Sequence, residues 1–362
     1  MQSKPFPQIH YQDYLCLEQI TNAQKPKSVE YGNPVHDETL FIIVHQVYEL
    51  WFKQILTEVD SLLAVFSQQT VNESDLAVCV SRLDRVIQIQ DLLFRQIPVL
   101  ETMTPMDFLE FRDYLFPSSG FQSFQNRLIE NKLGLRQEHR VELGNAPYKE
   151  YLTAEQKRQI TEVESQLSIF DLVERWLERT PFLESNGFNF WASYKKAIES
   201  FFDSEREALK KNTFLSPEQI NKNLATIDSN LESFNSILDK EKYQKLKEQG
   251  HWRFGLKALQ ASLFIFLYRD QPAIHLPFRL LTNLTQIDEN FTTWRHRHAL
   301  LAHRMLGKKM GTGGSSGHEY LVQAAAQHKI FTDFFNLTTF FIPKSIRPVL
   351  PPGLIKKLQF NY

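Results

Sequence analysis

Two of the eleven histidines stand where an apolar residue is expected. From Leu280 onward, Leu284, Ile287, Phe291, Trp294, Leu301 and Met305 recur at helical spacing, and His298 fills the gap between 294 and 301. At ~100° per residue, His296 and His303 fall on other faces of that helix. His45 interrupts the stripe between Phe41 and Tyr48 in the same way. Each position admits two readings. A core histidine satisfied by a carbonyl or carboxylate is what periodicity alone favours. A buried neutral imidazole is also the usual protein ligand of a haem iron, and aromatic walls suit a flat macrocycle or an indole. Two such residues on two helices would supply one proximal ligand and one distal group.

Arg112 carries a planar fork suited to a carboxylate, although an ordinary surface arginine is the simpler reading of a short helix. Arg295, Arg297, Arg304, Lys308 and Lys309 form a basic cluster that reads as a solvated face, a nucleic-acid patch or a seat for haem propionates. Without interleaved exposed aromatics, nucleic acid is the weakest of the three. Five of the 13 glycines lie between Gly307 and Gly317. No Gly-Lys-Ser/Thr follows, so the stretch is not a Walker loop, and a helix precedes it where a dinucleotide fingerprint needs a strand. It reads as a flexible linker or as a mobile lid, with the Thr312 hydroxyl offered to a polar substrate end.

The elements that must position these residues read as helices. Asp37 is placed to cap a helix over about 37–67, buried on most sides, and Asn72 or Ser74 opens a second that Pro98 is expected to stop near Ile97. Thr104-Pro105 begins a short helix carrying Phe108 and Arg112 one turn apart. Another runs from about Phe121 to Gly134. Thr153-x-x-Gln156 and Ser216-x-x-Gln219 are capping boxes. The polar stretch 190–250 reads as an accessory helical hairpin, and 277–307 as the helix bearing His298. No alternating strand with hairpin signals stands out, so the expected fold is all-α, a helical bundle.

Composition agrees and excludes other classes. Glycine and proline together supply 29 of 362 residues, about 8% against the ~12% of average usage. The net charge of −1 offers no global field to nucleic acid or an anionic membrane. Two cysteines, Cys16 and Cys79, are too few for a disulfide framework, and a reducing cytoplasm fits them. The N-terminus lacks the apolar stretch of a secretory signal. The densest apolar run, 261–268, is far short of the ~20 residues that span a bilayer.

The segments Tyr11-x-x-Tyr14-Leu15, His36-Asp37-Glu38-x-Leu40-Phe41-Ile42-Ile43-x-His45-Gln46-x-x-Glu49-Leu50-Trp51, Phe111-Arg112-x-Tyr114-Leu115 with Pro117-x-Ser119-Gly120-Phe121-Gln122-Ser123, Trp294-Arg295-x-x-His298, and Arg304-Met305-Leu306-Gly307 through Gly317 resemble the tryptophan 2,3-dioxygenase family, in family order over nearly the whole chain. The resemblance implies a single haem-binding catalytic domain over 1–362 and a homotetramer. Its reaction would cleave the indole C2–C3 bond of L-tryptophan with O2 to give N-formylkynurenine. The cofactor would be non-covalent haem b, ferrous in the active form. By motif position, His298 would be the iron ligand with Trp294 behind it, and His45 would accept a hydrogen bond from the indole N–H. Phe41 would pack on the ring, and Phe108 would line the pocket. Arg112 would hold the substrate carboxylate, Thr312 the ammonium and carboxylate end, and Ser119 the haem edge. Tyr11 and Tyr14, within the N-terminal segment 1–20, would reach a neighbouring subunit's site. Departures from the family pattern occur at Gln12-Asp13 and at Ala299. The alternatives are a haem mono-oxygenase of the same superfamily acting on another indole or aromatic amino acid, and a non-catalytic haem sensor or helical scaffold.

Overall fold

The computed structural model describes residues 6, 8–142, 147–181, 184–185, 188–309 and 317–359. Three short helices open the chain, α1 (Tyr11–Tyr14), α2 (Leu17–Thr21) and α3 (Lys27–Glu30), followed by the long α4 (His36–Phe66) and α5 (Glu73–Leu100). Next come α6 (Pro105–Arg112), α7 (Phe124–Leu133), α8 (Ala154–Ser165) and α9 (Ile169–Leu177). The second half holds α10 (Phe190–Lys210), α11 (Pro217–Leu238), α12 (Lys240–Glu248), α13 (Leu256–Leu267), α14 (Pro272–Leu306), α15 (Gly317–Gln327), α16 (Thr332–Leu337) and α17 (Pro352–Lys357). The all-α expectation holds, with one small exception: Glu184–Ser185 and Phe188–Asn189 pair as a two-residue antiparallel ladder. Two residues a side give no alternation for a sequence pattern to reveal. Among the described residues no helix is long and apolar enough to cross a membrane.

The capping residues behave as their chemistry dictates. Thr104, Thr153 and Ser216 each accept the N–H three residues on, and Asp107, Gln156 and Gln219 reach back to the cap's own N–H. Asn72 caps α5 through Asp75 N–H at 2.8 Å. Asp37 does not cap α4: Val35 holds that position and Asp37 lies in the first turn. Its neighbour Glu38 is buried, and its carboxylate accepts the Lys27 and Ser28 N–H groups at 2.7 and 2.8 Å. The side chain therefore caps α3 from the start of α4.

Proline does not stop α5 where expected, and α14 begins before the expected 277. Pro98 sits inside α5, which runs on to Leu100, because only the final turn is affected by its missing N–H. Likewise α14 starts at Pro272, in the tolerated first-turn position, and continues through Pro277.

A core of Phe52, Ile55, Leu62, Leu83, Leu93, Leu284 and Ile287 joins α4, α5 and α14. Polar bonds thread it: Tyr48 O–H donates to the Leu93 carbonyl at 2.7 Å, and Gln90 Nε2 to the Ile287 carbonyl at 3.1 Å. In the 190–250 stretch, α10 and α11 pack together, and Tyr194, Phe202, Phe234 and Tyr243 turn into the same core. Tyr194 O–H donates to the Phe340 carbonyl at 2.6 Å. Gly134 ends α7 at φ +119°, and a Cβ there would lie 2.6 Å from Phe170 Cβ. Glycine is required on both counts.

Candidate functional site

A cavity of about 320 Å3 opens between α4, α6, α7, α14 and α15. Phe41, His45, Phe108, Ser119, Trp294 and His298 all line it, so residues up to 257 positions apart in the chain meet on one wall system. The long helices α4 and α14 carry the two imidazoles from their apolar faces, which is where the interrupted stripes put them.

His45 is fixed by its own helix. Its Nδ1 lies 2.7 Å from the Phe41 carbonyl oxygen. A carbonyl only accepts, so Nδ1 carries the proton and neutral His45 keeps an acceptor lone pair on Nε2. The ring also lies 4.1 Å, centroid to centroid, from Phe41, which meets Phe108 at 5.8 Å. His45 lines the cavity, and desolvation by the protein around it pushes its pKa down against the opposing pull of the Phe41 carbonyl and Glu49.

Burial, with the facing His45 adding to it, pushes His298 down to about 4. It is a neutral imidazole at pH 7. Trp294, one turn earlier, lies 5.7 Å from it. The Tyr48 ring lies 6.1 Å from the Trp294 indole and its hydroxyl donates to the Leu93 carbonyl at 2.7 Å, and Phe52 packs edge-on against the indole at 6.0 Å. Burial raises the Tyr48 hydroxyl to about 12, so it remains a phenol able to donate.

Ser119 lies at the start of a one-turn 3-10 helix, Gly120–Gln122, where its Oγ accepts the Phe121 N–H at 3.4 Å. Arg112 closes α6 one turn beyond Phe108; it is half-buried and is not part of the cavity wall. Tyr11 and Tyr14 are 70% and 69% exposed on α1 and do not reach the cavity of their own chain. Thr312 and the glycine stretch 311–316 lie outside the described residues.

The basic cluster does not behave as one unit. Arg295 is buried, its guanidinium donating to Glu130 Oε1 and to the His328 carbonyl, both at 2.9 Å. The solvated-face reading therefore fails for it. Glu130 also takes Arg127 at 2.9 Å and Arg140 at 2.6 Å. Burial works against charge on Glu130, but Arg140, Arg127, His328 and Arg295 outweigh it and hold its carboxyl well below the usual range. Pattern reading missed this hub, since its partners lie 3, 10 and 165 residues away. It also missed Glu49, which lines the cavity one turn after His45 and accepts from Ser123 Oγ at 2.6 Å and Gln125 Nε2 at 2.8 Å. Extending the His45 face by one more turn would have found it.

Comparison with known proteins bears directly on this arrangement. A family model described as tryptophan 2,3-dioxygenase matches residues 4–341. The chain belongs to the tryptophan 2,3-dioxygenase family. Among its relatives, the tryptophan 2,3-dioxygenase of Bdellovibrio bacteriovorus is 52% identical over 99% of both chains. Those of Dictyostelium discoideum, at 42% identity over 98% of this chain and 89% of the relative, and Xenopus tropicalis, at 43% over 96% and 86%, are similar along nearly the same length. The family model thus spans α4, α6 and α14, which carry Phe41, His45, Phe108, Trp294 and His298.

Proposed function

We infer that this protein is a haem-dependent tryptophan 2,3-dioxygenase, which opens the indole C2–C3 bond of L-tryptophan with O2 to give N-formylkynurenine. The observation that carries this reading is the pair of neutral imidazoles, His45 and His298, facing one aromatic cavity in a member of this family.

The residues present suit haem b. His298 is a neutral imidazole, its pKa lowered by burial and by His45, and it lines the cavity, as an axial ligand requires. Trp294 and Phe52 give it an apolar surround. Arg127 also lines the cavity, and its buried Nε, without a partner among the described residues, is a donor suited to a carboxylate edge. Ser119 lies on the same lining. Bound haem would supply a spin-allowed route by which O2 can react with a closed-shell indole.

The chain's own groups supply orientation. His45 Nε2 accepts the indole N–H, because its other nitrogen is already committed to the Phe41 carbonyl. This contact orients the ring, and no proton needs to leave it. Phe41 packs on the ring and Phe108, in contact with Phe41, lines the pocket, so the indole plane is held by packing while the N–H sets its rotation. Arg112 takes the amino-acid carboxylate and Thr312 the ammonium and carboxylate end. With both polar ends paired, an analogue lacking either one leaves a buried group unsatisfied and is rejected. Tyr11 and Tyr14, exposed in the single chain, complete the site of a neighbouring copy in a homotetramer. The free thiols of Cys16 and Cys79 fit a cytoplasmic enzyme.

One reaction tests the reading. Reduced, haem-loaded protein mixed with L-tryptophan and air should give a product heavier by two oxygen atoms, with new near-ultraviolet absorbance. A product heavier by one oxygen points to a mono-oxygenase, and no product with a normal Soret band to a haem sensor.

A further inference from the structure

Helix α7 carries polar ties to both histidine-bearing helices. At its N-terminal end, Ser123 Oγ and Gln125 Nε2 donate to the Glu49 carboxylate at 2.6 and 2.8 Å, and Gln125 Nε2 also reaches the Glu49 backbone carbonyl at 2.7 Å. Glu49 lies one turn after His45 on α4. Further along α7, Glu130 Oε1 accepts from Arg295 Nη2 at 2.9 Å, and Arg295 lies one turn before His298 on α14. Gln125 and Glu130 are separated by about 7.5 Å of helix axis, a length fixed by the rise of the α-helix.

We propose that α7 is a spacer and that Glu49 and Arg295 are positioning residues, which together set the placement of His45 relative to His298 across the cavity. The proposal rests on the roles assigned above to the two histidines. Both ends are built to resist slippage. Glu49 and Glu130 each accept more than one donor, and the Glu130 end is buried, with Arg127 and Arg140 locking the carboxylate from the other side. Arg140 is itself held by Asn131 Oδ1 at 2.8 Å and by the Leu135 carbonyl at 3.2 Å. A second ion pair, Lys132 with Asp60, holds α7 against α4 on the solvent side, farther along both helices than Glu49. The Ser119–Ser123 turn is continuous with the N-terminal end of α7, so the same tie places Ser119 relative to His45.

A spacer works in series: loosening the tie next to either histidine loosens the distance, even with Lys132–Asp60 in place, and loosening the second adds little. Two independent local contacts would instead give losses that multiply. The test is a double-mutant cycle in the haem-loaded enzyme with Glu49→Gln and Arg295→Met, neither of which removes a residue assigned to touch haem iron or indole. Arg295→Met leaves Glu130 paired with Arg127 and Arg140. Misplacement of a reacting group by ~1 Å can cost ~100-fold, and a loosened tie costs less. Each single variant should lower kcat/KM for L-tryptophan by about tenfold, and the double variant by about tenfold as well. Glu49→Gln should also move the iron–histidine stretching band of the ferrous enzyme, although Glu49 lies on the helix opposite His298. Should Arg295→Met fold poorly, Arg295→Lys keeps the charge with a single donor and should show the same non-additivity at smaller size. A double variant about a hundredfold down, or an iron–histidine band in Glu49→Gln identical to the parent's, overturns the spacer. His298→Ala separates this from the underlying assignment: if that variant keeps the parent Soret spectrum, His298 is not the ligand, whatever the cycle shows.

Discussion

The Phe41 carbonyl holds the His45 ring by its Nδ1 proton at 2.7 Å, so one turn of α4 decides which nitrogen of the site can accept a hydrogen bond. The pairing is local to the helix and independent of any ligand. Protonation of Nε2 destroys the acceptor, which makes the reaction sensitive to acid in a defined sense.

Burial lowers the His45 pKa below its ordinary 6.5, so the ring stays neutral through that pH and charges only further down. The acid limb of kcat/KM for L-tryptophan should therefore have its midpoint below 6.5, with activity lost as pH falls through it. A profile of kcat/KM between pH 4.5 and 8 checks this, and a midpoint at or above 6.5 contradicts it.

His298→Ala should yield a folded chain that fails to retain haem. Equal amounts of parent and variant protein, desalted after haem addition, should differ by the near-complete loss of the Soret band in the variant. Circular dichroism should show the helical content retained.

Tyr48→Phe removes the hydroxyl that donates to the Leu93 carbonyl at 2.7 Å and ties α4 to α5. A hydrogen bond of this kind contributes about 0.5–1.5 kcal/mol net. Denaturant unfolding should show a loss of about 1 kcal/mol.

Gly134→Ala places a Cβ 2.6 Å from Phe170 Cβ at a φ of +119°. The clash is with the base of a side chain, which has no rotamer to escape into, and the left-handed backbone adds about 1–2 kcal/mol. The variant should unfold at clearly lower denaturant concentration than a Gly120→Ala control, where nothing lies within 4 Å.

What the amino-acid sequence made legible was whatever depends on near neighbours. Thr104, Thr153 and Ser216 announce their helices because a cap and its partner sit three residues apart, and His45 and His298 declare themselves as breaks in an apolar period. Pro98 misled because proline forbids a hydrogen bond only one turn back, and near a helix end few such bonds are lost. Arg295 misled more deeply. The other members of its basic cluster, Arg297, Arg304, Lys308 and Lys309, are exposed, whereas its carboxylate partner lies 165 positions away on α7. A pairing of that kind leaves no periodic trace in either segment, so Glu130 and its arginines appeared only once the helices were in place.

The Glu38 carboxylate binds the amide groups of Lys27 and Ser28, and so it changes what the exposed residues before them are. They form an arm fastened at its base to the first turn of the helix that carries His45. The freedom lost in making that fastening is lost already in the isolated chain. In the assembly proposed above, with Tyr11 and Tyr14 engaging a neighbouring copy, only the outer part of the arm would remain to be ordered, which would lower the entropic cost of assembly. The same carboxylate ties the arm's origin to the helix that carries His45, so in that assembly an arm strained in one copy would pull on the start of α4 in the chain that owns it.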